Sequence, residues 1–228
     1  MQDSAAVVIV DSPDPARPSL WMPLAGRIIL ARTIDVFEAS PLIQSIILVL
    51  AAEDIEHANT LCRDEGWHKI AAIIAGGTSR QASVRSSLDT LAQAASGNDW
   101  VMIHDAARPL VPPPLLEAGL RAAQEYHAAT AAVPVKETIK HVQHRQIAET
   151  LDRSQLWAVQ TPQVFSYPLI HQAHRQVTAQ EQQNVTDDAA LLQHLGQRVV
   201  IFPGSYTNIK IMTAEDLLLA GALLQGSL

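Results

Sequence analysis

The chain has 228 residues, a formal net charge of −7 and a hydrophobic content of 48%, which suits one large α/β domain. The negative charge argues against broad binding to nucleic acid or anionic membranes, and the one cysteine excludes an intrachain disulfide framework and a cysteine-only metal cluster. No apolar run is long enough to span a membrane and no signal-peptide pattern opens the sequence, so we expect a cytoplasmic protein.

Apolar runs alternate with amphipathic stretches through the first half of the chain, which predicts strands that alternate with helices. The predicted strands are residues 5–10, 46–50, 70–74 and 100–105, and the predicted helices are residues 29–37, 53–66, 83–95 and 115–126. Three prolines within residues 11–20 predict a loop, and residues 23–26 predict a turn. This alternation is typical of an open, doubly wound, mostly parallel α/β sheet.

The second half of the chain begins with a different pattern. Residues 131–141 are extended and valine-rich, residues 143–146 could form a hairpin turn, and residues 147–151 would return. A hairpin of this size has little core of its own, so we expect it to pack on a second subunit. Helices over residues 170–180, 187–196 and 213–225, the last with Thr213 as its N-cap, and a strand over residues 199–202 complete the chain. We therefore expect a single domain over residues 1–228 with a protruding β-arm at residues 131–157.

The predicted strand at residues 100–105 ends abruptly in charge. His104 and Asp105 close it, and Arg108 and Pro109 follow. Ligands of open α/β sheets sit at the carboxyl ends of the strands. Asp105 could coordinate a hard cation or accept hydroxyl protons there, and Arg108 could face a phosphate. The alternative is a strand end whose aspartate only caps the next turn.

Four other segments carry groups that can bind anions. Gly76-Gly77-Thr78-Ser79-Arg80 joins a predicted strand to a predicted helix, where backbone amides and the helix dipole can bind an anion. Arg153 lies near the end of the proposed arm and Thr161 follows it, Thr186 precedes a predicted helix, and Lys210 is flanked by apolar residues. The alternatives are a glycine turn, a solvated arginine, a helix N-cap and a snorkelling lysine.

Together, these segments resemble the 2-C-methyl-D-erythritol 4-phosphate cytidylyltransferase family in order and spacing, from residue 5 to about residue 224. The matching segments are Gly76-Gly77, Arg80, Ser83-Val84, residues 104–109, Pro134-Val135, Thr138-Ile139-Lys140, Asp152-Arg153, Leu156-Trp157, Thr161-Pro162-Gln163, Thr186-Asp187 and Asn208-Ile209-Lys210. The resemblance implies a Rossmann-like nucleotidyltransferase fold and transfer of CMP from CTP to 2-C-methyl-D-erythritol 4-phosphate, with release of pyrophosphate, in non-mevalonate isoprenoid biosynthesis. It also implies a homodimer interlocked through the arms, and Mg²⁺ carried mainly by the CTP phosphates.

The resemblance assigns roles to individual residues. Nucleotide binding would use Gly77, Ser83, Asp105 and Ala106, with Asp105 also near the metal. Binding of the acceptor phosphate would use Arg108, Thr138, Arg153, Thr161, Thr186 and Lys210. Arg153 and Lys210 would take part in catalysis, and Arg153 and Thr138 would reach the site of the other subunit from the arm.

The loop after the first predicted strand departs from the family pattern. There the family carries Ala-Ala-Gly-x-Gly-x-Arg followed by Pro-Lys-Gln, whose glycine amides wrap the triphosphate. The corresponding stretch of this chain has no glycine and several residues fewer, and Ser19 stands where the lysine belongs. A working enzyme would then use Arg17, or else Arg27, as the neutralising cation. Thr78 stands where the family usually has an aspartate.

Two alternatives follow from this departure. The first is a non-catalytic dimeric paralogue that binds a nucleotide or sugar phosphate, or a partner protein, since Arg153, Thr186 and Lys210 are retained. The second is a cytidylyltransferase for ribitol 5-phosphate, which has a related fold and motifs. Release of pyrophosphate from CTP separates the enzymes from the paralogue.

Overall fold

The computed structural model describes residues 5–10, 18–94, 99–177 and 185–226. Its strands are β1 (Ala5–Val10), β2 (Pro23–Leu24), β3 (Arg27–Ile28), β4 (Ile43–Leu50), β5 (Ile70–Ala75), β6 (Trp100–Asp105), β7 (Ala128–Pro134), β8 (Lys140–Gln143), β9 (Gln146–Thr150), β10 (Trp157–Ser166) and β11 (Val200–Pro203). Its α-helices are α1 (Ile29–Ala39), α2 (Ile55–Glu65), α3 (Arg80–Ala94), α4 (Pro113–Tyr126), α5 (Tyr167–Gln176), α6 (Asp188–His194) and α7 (Ala214–Leu224). None of these helices is both long and apolar enough to cross a lipid bilayer.

Seven of the described strands form one sheet in the order β11-β7-β10-β6-β1-β4-β5. Neighbours are parallel except at β10, which runs antiparallel to both β6 and β7. Parallel neighbours need a long crossover connection, and helices provide it through the first half of the chain. The predicted α/β architecture with a mostly parallel sheet is confirmed.

The sheet carries an apolar core on each face, because successive side chains of a strand point to opposite sides. In β4, Ile46 and Leu48 pack on one side with α1 and α4, whereas Ile47 and Val49 pack on the other with α3, α5 and α6. All four of these β4 side chains are fully buried. This is the continuous apolar run expected of a strand covered on both faces.

Two helix ends lie where single residues of the sequence predicted them. Gly66 ends α2 in the left-handed conformation, with φ of 67°, which glycine adopts without steric cost. Thr213 accepts a hydrogen bond from the backbone N–H of Asp216 at the start of α7, and the Asp216 side chain accepts one in return. This reciprocal capping box confirms the predicted N-cap.

The arm is shorter than the predicted range of residues 131–157. Ala131, Ala132 and Val133 are buried in β7, which hydrogen-bonds to β10 on one side and β11 on the other. These small apolar residues fill the sheet, so the chain leaves it only after Pro134 and re-enters it at Trp157. Between these points β8 and β9 form an exposed antiparallel hairpin.

Strand β10 has no counterpart among the predicted elements. Pro162 lies inside it, and proline cannot donate a hydrogen bond to a neighbouring strand. The pairing of β10 with β7 shifts register between Val159 and Gln163, which accommodates the proline within the sheet. The antiparallel direction follows because β10 is reached through the hairpin rather than through a helical crossover.

Candidate active site

Three cations surround the carboxylate of Asp105, which is only 6% exposed at the end of β6. Lys210 Nζ lies 3.1 Å from Oδ2 and Arg108 Nε lies 3.3 Å from Oδ2, whereas Arg80 Nε lies 3.8 Å from Oδ1. Burial alone would raise the pKa of Asp105, but attraction to these cations lowers it to about 2. Arg80 also contacts a second carboxylate, Asp188, so three cations against two carboxylates leave one positive charge in excess, which favours phosphate binding.

A buried hydroxyl holds the end of β6 in place. Thr161 Oγ1 accepts the backbone N–H of Asp105 at 3.0 Å and lies 3.0 Å from Nδ1 of His104. The other ring nitrogen of His104, Nε2, lies 3.2 Å from the carbonyl oxygen of Arg108 and must donate to it. Nδ1 is therefore the acceptor, and the Thr161 hydroxyl donates to it. Thr161 thus lies behind Asp105, within the core.

Asn208 connects this arrangement to the segment that carries Lys210. Its side-chain Nδ2 donates to the backbone carbonyl of Thr161 at 2.7 Å. The backbone carbonyl of Asn208 accepts a hydrogen bond from Arg108 Nη1 at 2.8 Å. The backbone N–H of Ile211 donates to the carbonyl of Ala107. These bonds fix residues 208–211 against the turn that follows β6, and so bring Lys210 to Asp105.

The glycine turn is tied to the first turn of α3. The Gly77 N–H donates to Ser83 Oγ at 2.9 Å, and that hydroxyl donates to the carbonyl of Ser79 at 3.0 Å. A Cβ at Gly77 would lie 2.7 Å from the Cβ of Ala82, which is closer than real contacts allow. Glycine is therefore required for the backbone to pass this close, and the predicted pair of Gly77 and Ser83 lies together.

Arg80 joins the Asp105 cluster to a second buried carboxylate. Its Nη1 donates to Asp188 Oδ2 at 2.6 Å, and the other oxygen, Oδ1, accepts a hydrogen bond from His174 Nε2 at 3.0 Å. The side chains of Asp188 and His174 are fully buried. Burial alone would raise the pKa of Asp188, but Arg80 and His174 hold it below its usual range.

The other predicted site residues are distributed as follows. Ala106 is buried next to Asp105, and its carbonyl accepts a hydrogen bond from Thr33 Oγ1 at 2.8 Å. Thr138 and Arg153 lie exposed at the arm, where Arg153 Nη1 donates to the carbonyl of Lys136. Thr186 is exposed just before α6.

Arg17 lies outside the described residues. Val10, the last residue of β1, pairs in register with Asp105, the last residue of β6.

The described residues do not form a complete metal-binding site by themselves. Within residues 5–10, 18–94, 99–177 and 185–226, no three His, Cys, Asp or Glu side chains are grouped to hold one. Asp105 provides one carboxylate among three cations. Mg²⁺ is commonly held by one or two carboxylates together with substrate phosphates, so Asp105 fits an ion that arrives with a polyphosphate.

Sequence reasoning did not assign roles to His104, His174, Asp188 or Gln163. Gln163 Oε1 accepts the backbone N–H groups of Asp188 and Ala189, which orients the start of α6. The signal for Asp188 was a second acidic residue at a helix N-terminus, which is ordinary in a helix. The sequence spacing does not predict a role for His174, because its partner Asp188 belongs to another helix.

The buried His104 predicts a dependence of stability on pH. Burial lowers its pKa to about 4 from an unfolded value of 6.5, so the unfolded state binds more protons between these values. The free energy of unfolding is therefore highest above pH 6.5, where His104 is neutral in both states, and it decreases as the pH falls towards 4. Between pH 7 and pH 5, we expect this to cost about 2 kcal/mol of unfolding free energy.

Urea unfolding at both pH values tests this expectation when the chain is compared with His104→Gln, which has no titrating group there. The original chain should lose about 2 kcal/mol more than the variant between pH 7 and pH 5. Equal losses in the two proteins would contradict the assignment of a neutral, buried His104.

Comparison with known proteins finds similar proteins over nearly the whole length of the chain. The family model for 2-C-methyl-D-erythritol 4-phosphate cytidylyltransferase matches residues 14–226. Proteins of that name from Syntrophotalea carbinolica and from Dehalococcoides mccartyi strain CBDB1 are 46% and 45% identical to this chain. The first alignment covers 90% of this chain and 87% of the relative, and the second covers 89% and 86%.

Solved structures show the same likeness. The 4-diphosphocytidyl-2C-methyl-D-erythritol synthase of Anaerococcus prevotii has a TM-score of 0.82 at 26% identity, over 97% of this chain and 99% of that one. The 2-C-methyl-D-erythritol 4-phosphate cytidylyltransferase of Thermus thermophilus has a TM-score of 0.75 at 28% identity, over the same shares. The likeness thus extends over nearly the full length of each chain.

Proposed function

Because the chain belongs to the 2-C-methyl-D-erythritol 4-phosphate cytidylyltransferase family, we propose that it transfers CMP from CTP to 2-C-methyl-D-erythritol 4-phosphate and releases pyrophosphate. It is a nucleotidyltransferase of the non-mevalonate route to isoprenoid precursors. The observation that carries this function is the cluster of Arg80, Arg108 and Lys210 around Asp105, at the carboxyl edge of the sheet.

The reaction needs positioning and charge neutralisation more than covalent chemistry. A phosphate oxygen of the acceptor attacks the α-phosphorus of CTP, and the bond to the departing pyrophosphate breaks with its electron pair on the pyrophosphate oxygen. Preorganised cations that face the developing charge favour this step. Lys210 suits this role because its side chain is 28% exposed and reaches the cluster from the solvent side.

The nucleotide half of the site comprises Gly77, Ser83, Asp105 and Ala106 in this proposal. The ionised Asp105 can accept hydrogen bonds from ribose hydroxyls, since its pKa of about 2 keeps it charged at neutral pH. The acceptor phosphate would be bound by Lys210, Thr186 and the arm residues. The hydrogen bonds of Arg108 and Thr161 support a role in placing Asp105 rather than direct contact with the acceptor.

A divalent cation accompanies the triphosphate in this proposal. Asp105 would contact it, with the remaining ligands from phosphate and water. Such an ion neutralises charge on the phosphates when bound. Arg80, Arg108 and Lys210 hold Asp105 in place and keep it ionised whether or not the ion has arrived.

We also propose that the enzyme works as a homodimer in the cytoplasm. Val142 and Ile147 on the arm are 53% and 64% exposed, as expected for apolar groups covered by a second copy. Arg153 and Thr138 lie on the arm rather than at the Asp105 cluster, so a second subunit would bring them to an active site. A free cysteine, Cys62, and the use of CTP as substrate fit a reducing compartment.

The test is a pyrophosphate-release assay with CTP, Mg²⁺ and 2-C-methyl-D-erythritol 4-phosphate. We expect release by the unaltered chain, and a loss of about 100-fold in Arg17→Ala if Arg17 is the neutralising cation of the altered loop. Arg121→Ala is the control, because Arg121 lies exposed on α4 and pairs only with Glu117 within the described residues.

Each other outcome selects an alternative. Absence of release, with CTP still bound in calorimetry, would favour the non-catalytic paralogue. Release only with ribitol 5-phosphate would change the acceptor. Full activity of Arg17→Ala would leave Arg27 as the candidate cation, although Arg27 already pairs with Asp35 and Glu65.

A further inference from the structure

Arg80 lies between two carboxylates that are far apart in the sequence, Asp105 and Asp188. It donates to Asp188 at the start of α6 and faces Asp105 at the end of β6. We propose that Asp188 and His174 are positioning residues that hold the Arg80 guanidinium beside Asp105, in the geometry that binds CTP. This proposal rests on the function proposed above, and neither residue touches the reacting phosphates in it.

The distances show which carboxylate holds Arg80. Its Nη1 lies 2.6 Å from Asp188, which is a short charge-assisted hydrogen bond, whereas its Nε lies 3.8 Å from Asp105. The guanidinium is therefore anchored on Asp188 and only approaches Asp105. Asp105 Oδ2 pairs with Arg108 and Lys210, so Oδ1, which Arg80 only approaches, is the oxygen that remains available to a ligand.

Asp188 is itself fixed from two sides. Gln163 in β10 accepts its backbone N–H at 3.1 Å, so the sheet sets the position of the α6 N-terminus. His174 in α5 donates to its carboxylate at 3.0 Å. The other ring nitrogen of His174 has no hydrogen-bond partner within the described residues, so Asp188 is the contact that its polar atoms make there.

Removal of the Asp188 charge would change what Arg80 binds. A buried arginine without its main counterion would turn its remaining donors towards the nearest anion, which is Asp105. A close pair between Arg80 and Asp105 would occupy the carboxylate that the ribose needs. The expected consequence is weaker CTP binding rather than a slower chemical step.

The chain provides a matched control for this pair. His171 lies one helical turn before His174 on α5 and bonds to Asp89 on α3 at 2.7 Å, so it joins the same two elements that carry His174 and Arg80. Asp89 is 51% exposed and lies away from the Asp105 cluster. His171→Gln therefore perturbs the same helix pairing without disturbing Arg80.

The experiment measures steady-state kinetics, CTP binding by calorimetry and thermal unfolding for Asp188→Asn, His174→Gln, His174→Leu and His171→Gln. Asp188→Asn should raise KM and Kd for CTP about tenfold and change kcat about twofold at most. His174→Leu should follow it, whereas His174→Gln, which retains a donor to Asp188, should stay within about twofold of the unaltered chain, as should His171→Gln.

Two readouts separate this inference from a purely structural role and from failure of the proposed function. If the variants lose thermal stability but keep the original Kd for CTP, the positioning role is overturned. A crystal structure of Asp188→Asn gives the answer without any assay: Arg80 should lie closer to Asp105 than 3.8 Å. An unmoved Arg80 overturns the inference even if the unaltered chain is inactive, and a moved one supports it.

Discussion

Replacing Lys210 with alanine is expected to lower kcat for pyrophosphate release by about 100- to 1000-fold, the usual effect of deleting one strong transition-state donor. Lys210 is the most exposed of the three cations at Asp105 and lies 3.1 Å from its carboxylate, so its ammonium is the one best placed to reach the phosphates. Stability should change little, because Arg80 and Arg108 still neutralise Asp105.

Lys69→Ala is the matched control for Lys210→Ala. Lys69 directly precedes β5, so it lies at the amino-terminal ends of the parallel strands, whereas the cluster lies at their carboxyl ends. Its Nζ donates to the carbonyl of Ser40. Single-turnover kinetics should show the loss only in the Lys210 variant. A kcat for Lys210→Ala within about threefold of the unaltered chain would be inconsistent with the role assigned to Lys210.

Replacing Thr161 with valine should cost about 2–6 kcal/mol of unfolding free energy. Valine matches threonine in shape but has no hydroxyl, so the Asp105 N–H and His104 Nδ1 would both lose their partner. Each unsatisfied buried polar group typically costs about 1–3 kcal/mol. The loss is measured by urea unfolding at pH 7.

Thr161→Ser separates the hydroxyl from the methyl group. Serine keeps both hydrogen bonds and removes one methyl group, which should cost about 1 kcal/mol. The same two variants bear on function, since a displaced Asp105 would also weaken CTP binding in Thr161→Val. Equal destabilisation by serine and valine would refute the role of Thr161 as a support for Asp105.

Most of the fold could be predicted because its signals are local. Apolar runs gave the parallel strands, and Gly66 and Thr213 marked helix ends through their own backbone and side-chain chemistry. Strand β10 was missed because Pro162 interrupts its pattern, and only its neighbours in the sheet stabilise it. The start of the arm was misplaced for a related reason: Ala131 and Ala132 are buried by pairing with strands that come later in the chain.

In the candidate site, too, residues with a local sequence signal could be predicted and contacts between distant residues could not. Asp105 was recognised because it ends an apolar strand, and Lys210 because apolar neighbours surround a charge. The connection from Arg80 to Asp188 spans 108 residues, and no spacing rule links two positions so far apart. Resemblance to a family identified the segments that take part, but the hydrogen bonds of Thr161 and His174 became visible only in the folded chain.

The position of β1 also governs when the protein can fold during its synthesis. Strand β1 is made before its two neighbours in the sheet, β4 and β6, which pair with it on either side. The middle of the sheet therefore cannot close until residue 105 has emerged, and the same residue completes the floor of the proposed nucleotide site. Nascent chains shorter than this would expose an unpaired strand edge, which is the form in which a chaperone would meet them.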